Sequence, residues 1–158
     1  MGNQLKQGKF PYREGTWFAI PLRQGGYAVG RVARHSGNGG ILAYFFGPKR
    51  ETPPSLEDLN NLTRDSSIKI LRAGDLGIIE GSWPIIGDSP MWKREDWPIP
   101  PFVRRDDIGK AAWRVVYADD NPLEVISEQR IPYDSSEYER DGLHGSGAAE
   151  VVISRMLP

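Results

Sequence analysis

The sequence predicts an α+β fold in which β dominates, built on a curved antiparallel sheet. Three observations lead there: a run of alternating apolar segments between Gly15 and Gly47, a chain rich in glycine (18) and proline (13), and only two stretches with helical spacing. In the first segment, Thr16 to Leu22 (TWFAIPL), Phe18, Ile20 and Leu22 fall on one side of a period-2 pattern and Trp17 and Ala19 on the other. Arg23 to Gly26 breaks the pattern, Tyr27 to Arg34 resumes it, Ser36 to Gly40 breaks it again, and Ile41 to Phe46 completes it. Connections this short cannot make a parallel crossover, so the three strands form an antiparallel meander. A meander of this kind can stay open as a curved sheet or close into an SH3-like partial barrel.

The remaining elements follow in order. Residues 1–14 are polar and read as a loose N-terminal segment until Phe10-Pro11-Tyr12, which is expected to lie against the first strand; residues 15–158 read as a single domain. After Pro53-Pro54, Ser55 and Asp58 have the spacing of a capping box, and Leu56, Leu59 and Leu62 follow at helical intervals, which predicts a short helix near 55–64. Ile68–Arg72 and Leu76–Ile79 are strand-like, broken at Ala73-Gly74-Asp75. Gly81 to Arg105 holds Trp83, Trp92 and Trp97 among five prolines, a density that predicts ordered loop rather than helix or central strand. Ala112–Ala118 and Glu124–Ile131 flank the turn Asp119-Asp120-Asn121-Pro122 as a second hairpin. The last stretch predicts a helix near 147–157 with Ala148, Val151, Val152 and Met156 on one face and Ser146 as its cap.

Composition excludes more than it proves. Hydrophobic residues make up 39% and charged residues 26%, and 20 basic against 21 acidic side chains leave a formal charge of −1. Neither a phosphate-driven nucleic-acid interface nor the strongly acidic surface of a binder for basic partners is expected from that balance. The absence of cysteine removes disulfides, thiolate metal sites and thiol nucleophiles. Met1 to Lys9 carries no apolar core of a secretory signal, and the longest apolar run, Ile41 to Phe46, is too short to span a bilayer, so a cytoplasmic protein is expected.

No catalytic or metal-binding constellation emerges, and no cofactor is implied. His35 and His144 sit beside glycine turns without a second ligand at helical spacing. Ser146, within His144-Gly-Ser-Gly147, lacks the preceding strand that a strained nucleophile needs. The glycines of Gly25 to Gly30 have the wrong offsets for a dinucleotide fingerprint. The pairs Glu95-Asp96, Asp106-Asp107 and Asp119-Asp120 are adjacent in sequence, so on a strand their side chains diverge; the last pair reads as turn chemistry. Arg104-Arg105 is balanced by the acids that follow it. The tryptophan–proline segment has two readings. Its indoles close the end of a small barrel, or they form a recognition surface in which Trp83, Trp92 and Trp97 are rimmed by Arg94, Glu95, Asp96, Arg104 and Arg105.

Gly15-x-Trp-Phe-Ala-Ile-Pro-Leu22, Gly26-Tyr-Ala-Val-Gly-Arg-Val32 and Tyr44-Phe-Phe46 together resemble the opening of the immunity protein 26 family of bacterial polymorphic toxin systems. Gly81-x-Trp-Pro-Ile-Ile-Gly87, Trp97-x-x-Pro-Pro-Phe102 and Asp141-Gly-Leu-x-Gly145 are similar to its downstream pattern, so the resemblance runs over roughly residues 15 to 157. It implies a small cytoplasmic protein, not an enzyme, that binds and neutralises a cognate toxin. Gly15, Pro21, Gly30 and Gly81 are matched positions and read as backbone requirements of the fold. The competing reading is an SH3-like module for nucleic acid or peptide, with Arg31, Arg34, Lys49 and Arg50 as a basic edge. An enzyme would need acids that the fold, not the spacing, brings together.

Overall fold

The computed structural model describes residues 10–158; the expectations placed on residues 1–9 lie outside the described residues. The meander forms as expected. β1 (Thr16–Pro21), β2 (Tyr27–His35) and β3 (Gly40–Arg50) pair antiparallel, and β4 (Lys69–Gly74) adds to β3. The edges are finished by β5 (Ile85–Asp88) on β1 and by β10 (Leu143–His144), two residues parallel to β4. The sheet order is therefore β10-β4-β3-β2-β1-β5. A second sheet, in the order β8-β7-β6-β9, contains β6 (Phe102–Asp106), β7 (Ala111–Ala118), β8 (Asn121–Ile131) and β9 (Glu139–Arg140). Neither sheet closes, so of the two forms expected the structure takes the open one.

Alternation along β1 explains the layering. Phe18, Ile20 and Leu22 enter one apolar cluster with Ile78, Trp83, Ala149 and Ile153. Trp17 enters the other, with Tyr44, Phe46, Trp97, Phe102, Val115 and Tyr117. The six-stranded sheet is thus the middle layer, buried on both faces, with helices on one side and the second sheet on the other. Two glycines fix how closely it packs. A Cβ on Gly30 would stand 2.4 Å from Cζ of Phe18, across the β1–β2 pair. Gly15, at φ +92°, turns the chain into β1 in a conformation that other residues rarely adopt, with its Cα side against Trp92.

Several local expectations are corrected. The helix predicted near 55–64 is instead two 3-10 turns, Leu56–Leu59 and Arg64–Ser66. Ser55 bonds the Asp58 carboxylate rather than a helical N–H, so no capping box stabilises an α-helix there. Leu76–Ile79 is not a strand but part of α1 (Leu76–Glu80). Its Gly77 lies against the Trp83 ring, which a side chain at that position would strike. The 81–105 segment is only partly loop. β5 follows Pro84 at a sheet edge, where a missing N–H costs nothing, and β6 starts directly after Pro101 and lies between β7 and β9. The C-terminal helix, α2 (Ser146–Met156), is where the spacing places it, but its buried face is Ala149, Ile153 and Ser154. Ala148 and Met156 are exposed, because the contact stripe is rotated by one residue, about 100° around the axis. Gly145, not Ser146, is the cap; the Ser146 hydroxyl accepts from the Gly77 N–H.

Phe10 and Tyr12 pack around His35 at the end of β2 rather than along β1 alone. The Tyr12 hydroxyl donates to Asp75 at 2.7 Å.

Candidate functional site

The residues singled out from the sequence separate into three places. Trp83 is fully buried on the helix side of the middle sheet. It stacks on Phe18 with ring centroids 5.5 Å apart, and its indole N–H donates to Glu150 at 2.9 Å. Every requirement of that side chain is met inside the fold. Arg104 and Arg105 leave from β6 towards a separate pocket of about 340 Å³ that they line with Asp107, Arg140 and Asp141. Arg104 pairs with Glu128, and Arg105 donates to the carbonyls of Tyr133 and Ser135.

Trp92, Arg94, Glu95, Asp96 and Trp97 stay together on the opposite face from Trp83. There the 3-10 turns of residues 56–66 and the 89–97 loop wall a cleft of about 430 Å³. Its floor is Trp17, Leu59 and Trp97, all buried; Asp65, Glu95 and Asp96 line it as exposed carboxylates. Arg94 holds the loop in place. Its Nε donates to Glu14 at 2.9 Å, Nη1 to Asp119 at 2.7 Å and Nη2 to Asp120 at 2.8 Å. Burial works against its charge, but the carboxylates of Glu14, Asp120 and Asp119 outweigh it and hold its pKa above the ordinary arginine value.

The residue that sequence reasoning misplaced is Arg31. It does not lie on a basic edge. β2 is an inner strand, and Arg31 is 5% exposed within the cleft wall. Cross-strand pairing sets Trp17 beside it on β1 and Tyr44 on β3. Its guanidinium carbon lies 4.7 Å from the Trp17 ring, 4.7 Å from Trp92 and 4.8 Å from Trp97, so three indoles cage one cation. Each such contact contributes on the order of 0.5–2 kcal/mol. Among the described residues the guanidinium makes a single hydrogen bond, Nε to the Gly15 carbonyl at 3.1 Å, and Nη2 is buried with no partner. A buried donor left so costs about 1–3 kcal/mol. Burial also pushes its pKa down to about 10, which leaves it charged at neutral pH.

The neighbouring arginines are different. Arg34, also buried on β2, bonds the carbonyls of Ala33 and Trp97 and pairs with Asp119 at 3.0 Å. Asp119 and Asp120 are therefore more than turn residues; they receive both Arg34 and Arg94. Arg72 pairs with Asp141 at 3.0 Å under the Tyr117 ring. Trp17 opposite Arg31 is the one signal in the sequence that could have exposed the cage, since the short glycine turn fixes the register between those strands.

The family model for immunity protein 26 matches residues 13–114, well over half of the 158-residue chain. The chain belongs to the immunity protein 26 family. The matched stretch takes in Gly15, Pro21, Gly30 and Gly81, the cleft and its arginine cage, and ends within β7. The Asp141–Gly145 element lies beyond it. No curated protein and no solved structure matches the chain. Membership supports an immunity role in toxin systems. Among the described residues, no group of three or more His, Asp or Glu side chains is placed to hold a metal ion, and no helix is long and apolar enough to cross a membrane.

Proposed function

We propose that this protein acts in the cytoplasm by binding a cognate toxin domain and neutralising it through direct contact, without covalent chemistry. Residues 15–158 serve as one domain in this reading, since both apolar clusters are built on the same middle sheet. The contact surface is the cleft between the 56–66 turns and the 89–97 loop. Glu95 and Asp96 from the sequence-derived set line it and meet the toxin there, together with Met91, which is 76% exposed, and with Trp92, whose ring lies over Arg31. Trp97 supplies the floor and Arg94 the brace. Trp83 lies in the core, and Arg104 and Arg105 lie outside this surface.

The observation that carries the proposal is the make-up of this site: three indoles surround a buried cation that, among the described residues, has no carboxylate partner and leaves Nη2 unpaired. Rigid indoles and arginine are the residue types that dominate binding energy at protein interfaces. Co-expression with the cognate toxin domain tests the proposal. Cells are expected to grow, and a catalytically dead toxin is expected to co-purify. Growth arrest with no complex overturns the proposal.

A further inference from the structure

We infer that the cleft seats a carboxylate side chain of the partner, an Asp or Glu carried on a loop with basic neighbours, against the guanidinium of Arg31. The inference rests on the toxin-binding reading and specifies its chemistry.

Three observations converge on that occupant. First, Arg31 differs from the chain's other buried arginines in what surrounds it. Arg34 and Arg72 each have a carboxylate at 3.0 Å, whereas Arg31 has aromatic faces around it and one backbone carbonyl. A guanidinium presents its N–H groups as a planar fork, and a carboxylate accepts two of them in parallel. Second, the charge is graded. Arg31 is buried in the wall, while Asp65, Glu95 and Asp96 are exposed at the margin, where Arg64, also exposed, lies 3.9 Å from Asp65. A bare acidic segment would be repelled there, and a purely basic one would leave Arg31 unmatched. An acid flanked by lysine or arginine satisfies both zones.

Third, the cage has one member able to give way. Trp17 and Trp97 are buried within the core, but Trp92 is only half-buried, on a loop whose neighbours Pro90, Met91 and Lys93 are exposed. Nη2 is covered in the free protein, so an arriving carboxylate displaces the Trp92 indole and takes its place beside the cation. The low-dielectric wall makes the resulting charge-assisted bonds stronger than they would be in water.

The whole protein, labelled with nitrogen-15, is titrated with three blocked tripeptides, Lys-Glu-Lys, Lys-Gln-Lys and Lys-Lys-Lys, and the indole N–H resonances are followed. Lys-Glu-Lys is expected to shift Trp92 most, then Trp17 and Trp97, and to leave Trp83 unmoved as an internal control. Its affinity is expected to exceed that of Lys-Gln-Lys by about tenfold, the difference between a charged and a neutral acceptor. Arg31→Met is expected to erase that preference. Equal binding of the Glu and Gln peptides, shifts centred on another tryptophan, or no shift up to roughly 20 mM peptide would overturn the inference. The wild-type series decides even where the variant does not fold. Because the peptides contain no toxin, the outcome separates from the functional reading. Protection in cells without glutamate preference removes only this inference, and peptide preference without protection removes the toxin-binding reading.

Discussion

The two faces of the middle sheet use tryptophan in opposite ways. On the helix side, Trp83 is fully enclosed, stacked on Phe18 and hydrogen-bonded to Glu150. On the cleft side, Trp17, Trp92 and Trp97 surround a cation with one donor unmatched among the described residues. The first arrangement is complete and contributes stability. The second carries a local cost, shared with Nε of Arg50 and Arg72 and Nδ1 of His35 and His144. Here, however, it falls on a cation in a cleft wall without a carboxylate partner among the described residues, which is why the proposed function assigns this face to a partner.

The sharpest way to break this comparison is to cut into each face in turn. Trp83→Ala empties a closed site and is expected to lower stability by about 3–5 kcal/mol in denaturant unfolding. Wherever that variant remains folded, toxin binding is expected to be unchanged. Arg34→Met leaves the carbonyls of Ala33 and Trp97 without this donor and Asp119 with Arg94 alone, and should cost about 3 kcal/mol by the same measurement. Gly30→Ala forces a methyl group against Phe18 and should cost about 1–3 kcal/mol. Arg31→Met reverses the pattern. Its unmatched charge disappears along with its indole contacts, so stability should stay within about 1 kcal/mol of the parent while protection against the toxin is lost. A large loss of stability in Arg31→Met would make the cage a structural element and dissolve the contrast between the faces.

Much of this architecture is legible in the sequence because period-2 alternation on both sides of β1 admits one arrangement, a sheet covered on each face. Trp17 and Phe18, adjacent in sequence, enter different clusters for that reason alone. Other elements resist. Leu76-Gly-Ile-Ile79 has strand composition, yet it folds as a single helical turn because Gly77 lets Trp83 pack against it. Pro100 and Pro101 suggest a loop, but they lie just outside β6 and take no part in its ladder. The cleft is legible only as a cluster of aromatic and charged residues between 92 and 97. Arg31 is hidden because a cation within a buried strand looks like an exposed edge until the register places Trp17 beside it.

Alkaline titration gives a gentler test of whether the faces stand or fall together. Burial raises Tyr44 on the cleft side to about 12, and burial plus the Asp75 carboxylate raises Tyr12 on the helix side. Burial, with the Asp141 hydrogen bond, also raises Tyr117. In each case the folded pKa lies above the unfolded value near 10, so the stabilisation is fully present below pH 10 and is lost as pH rises through the folded values. Absorbance at the phenolate band and circular dichroism should therefore show these tyrosines ionising in one cooperative step with unfolding. Separate steps would mean that the two faces are independent units.

Hydrogen exchange of the protein alone and bound to an inactive toxin domain tests the central claim most directly. Protection is expected in residues 56–66 and 89–97, with the backbone of α1 and α2 unchanged. Protection confined to the helix side, or to the Arg104–Arg105 pocket, with the cleft still exchanging freely, would contradict the account.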